Sequence, residues 1–335
     1  MFVAWRDLKF AKGRFALMGT VIVLITLLVG LLSGLTAGLG RQNISAITDL
    51  PVDRIAFQAP GDGQDVSYSN STVTEKQWQQ WAEAPGVTGA EPLGITTTRA
   101  SAGNRSVGVS AFGVRPGSRL APDSGRIDDR SAVLSTKAAD DLGVQAGDSV
   151  TLAGQRLTVA AVRGDASYSH TPVVWISLDV WQKSAPPTGT GDGSQTATVV
   201  ALTTTSDADL GATDRQAGTR TVSVADSLSA IGSYTSENGS LQLMRGFLFA
   251  ISALVIGAFF TVWTIQRSGD VAVLKALGAP TANLLKDALG QAVVLLAGGT
   301  LLGTGIAAAL GALGAALAIR RITSVDPLTA LGSAR

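Results

Sequence analysis

The sequence predicts an α-helical membrane protein that carries a large α+β extracytoplasmic domain. The chain has 335 residues, a mean hydropathy of +0.30 and only 15% charged residues, which is too apolar for an ordinary soluble protein. Uncharged runs at 15–40, 246–265 and 288–319 are long enough to cross a bilayer. Between the first two runs, residues 41–240 have the mixed composition of a folded polar domain.

The distribution of charge predicts the orientation of the chain. Basic residues concentrate in the short segments 1–14, 266–287 and 320–335, whereas the middle of the chain is richer in acidic residues. Short basic segments beside a span stay in the cytoplasm, while large domains cross largely regardless of charge. We therefore expect the N-terminus, the loop and the C-terminus to be cytoplasmic and residues 41–240 to lie outside.

The N-terminal region is predicted to contain an interfacial helix and then the first span. Residues 1–14 alternate apolar and basic side chains, a pattern typical of a helix that lies in the headgroup region. The alternative is a charged flank that only orients the next segment. The run 15–40 is longer than the apolar core of a cleaved signal peptide, so we interpret it as a transmembrane helix.

Residues 41–240 are predicted to alternate short strands and helices. Strands are expected at 53–58, 94–100, 106–114, 149–153, 156–163, 171–178, 196–205 and 219–224. Helices are expected from Thr74 to Glu83, from Ser135 to Gly143, after Asp179 and at 207–216. Trp78 and Trp81 share one helical face, which favours core packing over ligand contact. Residues 188–194 are predicted to be a loop.

Residues 241–265 are predicted to be a stalk that leads into the second span. The last apolar run, 288–319, has 32 residues, fewer than the about 40 that two spans need. We favour a short hairpin that turns near Gly303–Gly305 or Gly311, because a single crossing would place the basic segment 320–335 outside. One long tilted helix is the alternative. The expected count is therefore four transmembrane helices, the last two short, or alternatively three.

Several classes of function are disfavoured by what the sequence lacks. There is no cysteine and a single histidine, His170, which leaves no thiolate or multi-histidine metal site. No phosphate-binding loop motif occurs, so the chain cannot hold ATP by a P-loop of its own. The adjacent carboxylates Asp128–Asp129 and Asp140–Asp141 are best explained by surface placement. We expect no enzymatic activity, no cofactor, no metal and no nucleic acid.

A polar interruption between two apolar runs is the most distinctive stretch of the chain. Residues 264–281 carry Arg267, Asp270 and Lys275 among apolar residues spaced about one turn apart. This pattern predicts a brief helix at a membrane face, ended by Gly278 and Pro280.

The motif Arg-x-x-Asp-x-x-Val-Leu-Lys-Ala-Leu-Gly-Ala at 267–279 resembles the cytoplasmic loop of MacB/FtsX-type ABC transporter permeases, which include the lipoprotein-releasing and DevC-like permeases. The helix, Leu-Gly-Val, Gly-Asp and strand pattern of 131–152 is similar to the extracytoplasmic domain of the same family. The tail, with Arg320–Arg321 followed by Asp-Pro-Leu-Thr-Ala-Leu at 326–331, also resembles it. The family has two spans where this chain has one 32-residue run, and an internal deletion would explain the shortfall.

The resemblance implies a permease subunit that works with a separate ABC-type ATPase, which binds the ATP, and with a second permease subunit, identical or different. It implies a multi-pass protein of the bacterial plasma membrane that relays ATP hydrolysis to its outer domain. The work done would be export or extraction of an amphipathic substrate, or mechanotransmission. The ATPase would dock on the loop through Arg267, Asp270, Val273, Leu274, Lys275 and Gly278. The alternatives are a solvated positive loop, and a membrane-anchored extracytoplasmic sensor or adhesin without an ATPase.

Overall fold

The computed structural model describes residues 12–184, 195–266, 268–278 and 280–323. The chain divides into two compact units. We call Met1–Ala37 with Leu241–Arg335 the helical unit, and Gly38–Ser240 the α/β unit. The interfacial helix predicted for residues 1–14 lies almost entirely outside the described residues, as do the loop 188–194 and the motif 326–331.

Long helices at both ends of the chain enclose a region of short helices and strands. The helices are α1 Lys12–Thr48, α2 Glu75–Ala82, α3 Thr136–Leu142, α4 Leu178–Ser184, α5 Leu210–Ala217, α6 Val224–Ser227, α7 Gly232–Gln266, α8 Ser268–Ala276 and α9 Thr281–Thr323. The strands are β1 Arg54–Gln58, β2 Val73–Thr74, β3 Val87–Ala102, β4 Arg105–Val114, β5 Ser131–Leu134, β6 Ser149–Leu152, β7 Gln155–Val162, β8 Ser167–Tyr168, β9 Thr171–Ser177, β10 Thr196–Ala197, β11 Val199–Thr204 and β12 Thr219–Ser223.

Within the described residues, three helices are long and apolar enough to cross a membrane. Their apolar stretches are Ala16–Thr48 of α1, Gly232–Gln266 of α7 and Leu289–Gly314 of α9. The favoured hairpin at 288–319 is wrong, because α9 continues without a break through the segment where a turn was expected. The single long helix that we kept as the alternative is what the structure has.

The physical reason is that α9 lacks any residue that would end a helix in a bilayer. The apolar run 288–319 contains no proline, and a turn in hydrocarbon would leave backbone N–H and C=O groups without partners. Of the glycines that suggested a turn, Gly303 serves helix packing, and so does Gly299 one turn before it. A Cβ atom at Gly299 would lie 2.5 Å from Ile22 Cγ2, and one at Gly303 would lie 2.7 Å from Thr26 Cβ.

These contacts also give the relative direction of the helices inside the helical unit. Ile22 and Thr26 of α1 meet Gly299 and Gly303 of α9, and one turn further on a Cβ atom at Gly30 would lie 3.1 Å from Ala307 Cβ. The residue numbers of the contacting positions rise in steps of four in both helices, so α1 and α9 run parallel. Small residues at such spacing let membrane helices approach closely.

The α/β unit is built on a sheet of ten strands that curls on itself. Its order is β12-β1-β11-β3-β4-β9-β5-β7-β6, and β8 pairs with β9. The long strand β3 pairs with β11 in its first half and with β4 in its second half. β6 also pairs with β3, through Ala100 opposite Leu152. The six strands β3, β4, β9, β5, β7 and β6 therefore close into a small barrel. β2 and β10 form a separate ribbon.

Local signals in this unit are largely confirmed. Trp78 and Trp81 are fully buried core residues, as their spacing predicted. Helix α3 begins where the Ser135 hydroxyl accepts a hydrogen bond from the Ala138 N–H, and it ends at Gly143, whose φ of 68° favours glycine. Asp179 does not cap α4, because the Ser177 hydroxyl accepts from the Val180 N–H one turn into the helix. The strand at 171–177 therefore passes directly into α4.

The packing of α9 on α1 predicts that Gly303→Ala destabilises the helical unit by about 1–3 kcal/mol, since the added methyl group overpacks the contact with Thr26. The matched control is Gly305→Ala, because a Cβ there meets nothing within 4 Å. Thermal unfolding of the detergent-purified protein measures the difference. Equal shifts of the two midpoints would contradict the contact.

A single helix predicts that its two ends face opposite sides of the membrane. Because the chain has no native cysteine, Thr281→Cys and Thr323→Cys provide a matched pair at the ends of α9. With a cytoplasmic N-terminus, an impermeant maleimide should label Thr323→Cys on intact cells and Thr281→Cys only after permeabilisation. Labelling of both cysteines from the same side would contradict the single helix and support the hairpin.

Candidate functional site

The loop between α7 and α9 is organised around helix α8. Its start is joined to the end of α7, since the Ser268 hydroxyl donates to the Ile265 carbonyl at 2.7 Å. Its end is formed by Gly278, whose φ is 88° and whose N–H donates to the Lys275 carbonyl at 3.0 Å. The brief helix predicted from the motif, and its end at this glycine, are confirmed.

Two apolar side chains of this loop are exposed one helical turn apart. Val273 is 60% exposed and Leu277 is 79% exposed, and Lys275, two residues from each, is exposed on another face of the helix. Of the other predicted docking residues, Asp270 and Leu274 are placed on α8 by their backbone. Arg267 lies outside the described residues. Exposed large apolar side chains are typical of a surface that another protein or a membrane covers.

The start of α1 lies close to the end of α7 within the helical unit. A cavity of about 240 Å³ is lined by both helices. Its walls are Gly13, Leu17, Met18, Phe259, Val262, Trp263 and Gln266. Since α7 leads directly into α8, the first turns of α1 and the loop meet at the same end of the helices.

A second candidate site, which the sequence analysis missed, joins the long helices α1 and α7 to the sheet. We call it the stalk junction. It lies wholly within the α/β unit, and its members come from α1, from the tight turn between β8 and β9, and from the first turns of α7. These members are Asn43, Ser45, Ser169, His170, Ser233 and Glu237.

Asn43 is the centre of the stalk junction. Its side chain is fully buried, and its Oδ1 atom accepts a hydrogen bond from the Ser233 hydroxyl at 2.7 Å. This assigns the Nδ2 group to the other side, where it lies 3.3 Å from both His170 Nε2 and Glu237 Oε2. One buried amide of α1 thus contacts α7 twice and the turn once.

The proton positions at the stalk junction follow from the shortest contact. His170 Nε2 lies 2.7 Å from Glu237 Oε1, which is the distance of a strong, charge-assisted hydrogen bond. An ionised carboxylate only accepts hydrogen bonds, so we assign the proton to Nε2. That nitrogen then has no lone pair for the Asn43 amide, which donates to Glu237 Oε2 instead. Both helices and the turn are therefore linked through one carboxylate.

The turn itself is strained and tied down. Ser169 and His170 have φ angles of 49° and 63°, a region that non-glycine residues enter at a cost of about 1–3 kcal/mol each. Their N–H groups donate to the carbonyls of Asn43 and Gln42 on α1, at 2.9 and 3.1 Å. Ser45 adds a hydroxyl that exchanges hydrogen bonds with the Ser167 backbone. The conformation is held by α1.

Two sequence signals pointed to this site without locating it. His170 is the only histidine of the chain, and Asn43 is an amide in a helix that is otherwise largely apolar. Neither signal shows that the two residues meet across 127 positions. The contact depends on the positions of the strands, which local patterns do not specify.

The paired carboxylates have structural partners. Asp128 Oδ1 accepts from the Arg130 N–H at 2.8 Å, and this backbone bond is the main reason why the pKa of Asp128 lies below its usual range. Asp129 accepts from the Ser177 hydroxyl at 2.8 Å. Asp141 pairs with Lys137 at 3.0 Å, one turn away on α3. These contacts fit the surface placement that the sequence analysis assigned to them.

Comparison with known families covers almost the whole chain. Residues 15–220 match the MacB-like periplasmic core domain, and residues 243–331 match the FtsX-like permease C-terminal domain. The first match spans α1 and nearly all of the α/β unit. The second includes the loop around α8.

Individual relatives agree with this assignment. A protein of Staphylococcus haemolyticus named as a hemin transport system permease, HrtB, is 24% identical over 99% of each chain. An uncharacterized ABC transporter permease of Mycobacterium tuberculosis is 25% identical over 99% of each chain.

Among solved structures, the periplasmic region of MacB from Actinobacillus actinomycetemcomitans is 10% identical, with a TM-score of 0.38, over 55% of this chain and 94% of that one. The two family matches together account for both units and for the order of their elements. The chain belongs to the family of ABC transporter permeases that joins a MacB-like periplasmic core domain to an FtsX-like permease domain.

Proposed function

We propose that this permease docks an ABC-type ATPase through α8 and the first turns of α1, and passes its movement along α1 and α7 to the stalk junction. The protein would lie in the bacterial plasma membrane with its N-terminus in the cytoplasm. The observation that carries the proposal is that both helices enter the α/β unit unbroken and meet there at one buried amide, Asn43.

The docking step is supported by the exposed surface of α8. Val273 and Leu277 offer apolar area, and Lys275 offers a positive charge. Apolar anchors with a charged rim are the usual composition of a protein interface. The remaining predicted docking residues, Arg267, Asp270, Leu274 and Gly278, belong to the same short stretch. The ATPase would bind the ATP, so this chain would need no cofactor.

The transmission step is supported by helix continuity. α1 and α7 have 37 and 35 residues, and a continuous helix transmits a displacement at one end to the other end. Coupling between distant sites needs rigid elements with discrete arrangements. At the stalk junction a shift of α1 against α7 would have to break the Ser233 and Glu237 contacts of Asn43. A second permease subunit, identical or different, would complete the transporter.

The substrate class is proposed to be amphipathic. Several relatives are named for hemin transport, and hemin combines an apolar ring with carboxylates. Within the helical unit, a cavity of about 270 Å³ between α1 and α7 is lined by apolar side chains and by Arg245. Its apolar walls include Val29, Leu32, Leu248 and Phe249. A guanidinium beside an apolar wall suits a ligand with a carboxylate.

The docking proposal predicts that an ATPase with a P-loop is recovered when the chain is affinity-purified from its native membrane in mild detergent. Reversing both charges, Asp270→Lys with Lys275→Glu, should lower this recovery by about tenfold or more, because interface charges of the wrong sign repel the partner. Mass spectrometry and an ATPase assay measure the recovery.

The matched control reverses a helical charge pair in the α/β unit, Lys137→Glu with Asp141→Lys, and should leave recovery unchanged. Unchanged recovery with the α8 double reversal would remove these residues from the docking site. If the intact wild-type chain is recovered alone, the membrane-anchored sensor without an ATPase becomes the better description.

The transmission proposal predicts that Asn43→Ala uncouples the outer domain while the ATPase stays bound. Loss of the buried amide should lower stability by about 1–3 kcal/mol, since one Glu237 oxygen loses its partner and the Ser233 hydroxyl keeps only Ser169. Hydrogen exchange at residues 167–171 should respond to ATP in the wild type and not in the variant. Asn70→Ala, at an exposed asparagine, is the control. An unchanged ATP response in Asn43→Ala would refute the junction's role.

A further inference from the structure

The two-residue turn between β8 and β9 has an unusual combination of sequence and backbone. Tyr168 pairs with Thr171, so Ser169 and His170 form the whole of the turn. Their φ angles of 49° and 63° are both positive, as a type I′ turn requires, and turns of this type strongly prefer Asn-Gly or Gly-Gly. A serine and a histidine therefore stand where glycine is favoured.

A second turn of the same kind in the α/β unit has a different sequence. Between β6 and β7, Leu152 pairs with Gln155, and the turn residues Ala153 and Gly154 have φ angles of 46° and 84°. The glycine there occupies one of the two left-handed positions without a Cβ penalty. The β8–β9 turn has no glycine at either position, so the penalty applies at both.

The strands beside the β8–β9 turn are too short to hold it by themselves. β8 has two residues, and one of its two pairs with β9 is made by Pro172, which has no N–H group to donate. The turn is held by the long helices instead. Its N–H groups donate to the carbonyls of Asn43 and Gln42 on α1. Its side chains contact Ser233 and Glu237 on α7.

Release of the turn from α1 would leave few groups without partners. Both acceptor carbonyls lie inside α1, where each also accepts the N–H four residues further on, so the turn uses only their second lone pair. Ser169 and His170 are half-buried, so water can reach their N–H groups once these separate from α1. The hydrogen bonds lost and the backbone strain relieved are of the same order. Two arrangements of the turn are therefore close in free energy.

We propose that this turn is a latch with two arrangements. In the closed arrangement, which the structure shows, Ser169 and His170 are left-handed and their N–H groups are bonded to α1. In the released arrangement α1 has moved away, and the turn leaves the left-handed region. The proposal rests on the transmission step, because movement of α1 is what opens the latch. It assigns to residues 169–170 the two-state element that such coupling needs.

Hydrogen exchange of the full chain in lipid nanodiscs, without ATPase or nucleotide, tests the latch. In the wild type the amides of Ser169 and His170 should exchange at least about tenfold faster than those of β11 after correction for intrinsic rates, since local release exposes them without global unfolding. Exchange as slow as that of β11 would mean that the turn opens only when the unit unfolds, and would overturn the proposal.

Two substitutions at one position isolate the strain. Ser169→Ala and Ser169→Gly both remove the hydroxyl that contacts Ser233, and they differ from each other only by a Cβ atom. Because glycine adopts a positive φ without a steric penalty, Ser169→Gly should slow exchange at His170 about fivefold relative to Ser169→Ala. Equal exchange in the two variants would contradict a strained closed arrangement.

Ala153→Gly is the matched control. It relieves the same backbone penalty in the β6–β7 turn, which contributes no residue to the stalk junction. Exchange at residues 169 and 170 should not change in this variant. A change there would show that glycine acts on the unit as a whole, and would overturn the assignment of the strain to the latch.

A second comparison separates the latch from the transmission step. With the ATPase and ATP present, exchange at residues 167–171 should respond less in Ser169→Gly than in Ser169→Ala, because the closed arrangement is favoured. An equal or larger response would overturn the part of the latch in transmission. Absence of any ATP response in the wild type would refute the transmission step, whereas the comparison without nucleotide judges the latch itself.

Discussion

The structure depends on one constraint, which is that backbone polar groups in a bilayer must be satisfied within their own helix. This requirement keeps α1, α7 and α9 unbroken across their apolar stretches. It also explains why the glycines of α9 do not make a turn. Gly299 and Gly303 lie against α1, where their missing side chains allow the two helices to approach. The parallel pair α1 and α9 is a consequence of that packing.

The continuity of α1 and α7 also connects the apolar stretches of these helices to the stalk junction. Helices α1 and α7 continue unbroken beyond their apolar stretches, so residues 42–45 and 233–237 belong to the same helices as the apolar segments. Asn43 and Glu237 then connect the two helices to each other and to the His170 turn. The strain of that turn is retained because its N–H groups have their acceptors on α1. The proposed movement of α1 would act on these contacts.

The three-helix arrangement has a consequence for topology. Because α9 runs parallel to α1, the end of α9 lies at the same end of the helical unit as the end of the apolar stretch of α1. Three contacts that follow one another by one helical turn, from Gly299 to Ala307 of α9, give this direction.

The sequence by itself determined the apolar spans, the brief loop helix ending at Gly278, the α3 helix between Ser135 and Gly143, and the burial of Trp78 and Trp81. Each of these follows from residues that are neighbours in the chain, so hydrophobic period, capping and glycine geometry suffice. Only the tertiary structure decided that the last apolar run is one helix, because that depends on the packing of its glycines against α1. It also decided the stalk junction, because Asn43 and His170 meet across 127 positions only through the arrangement of the strands.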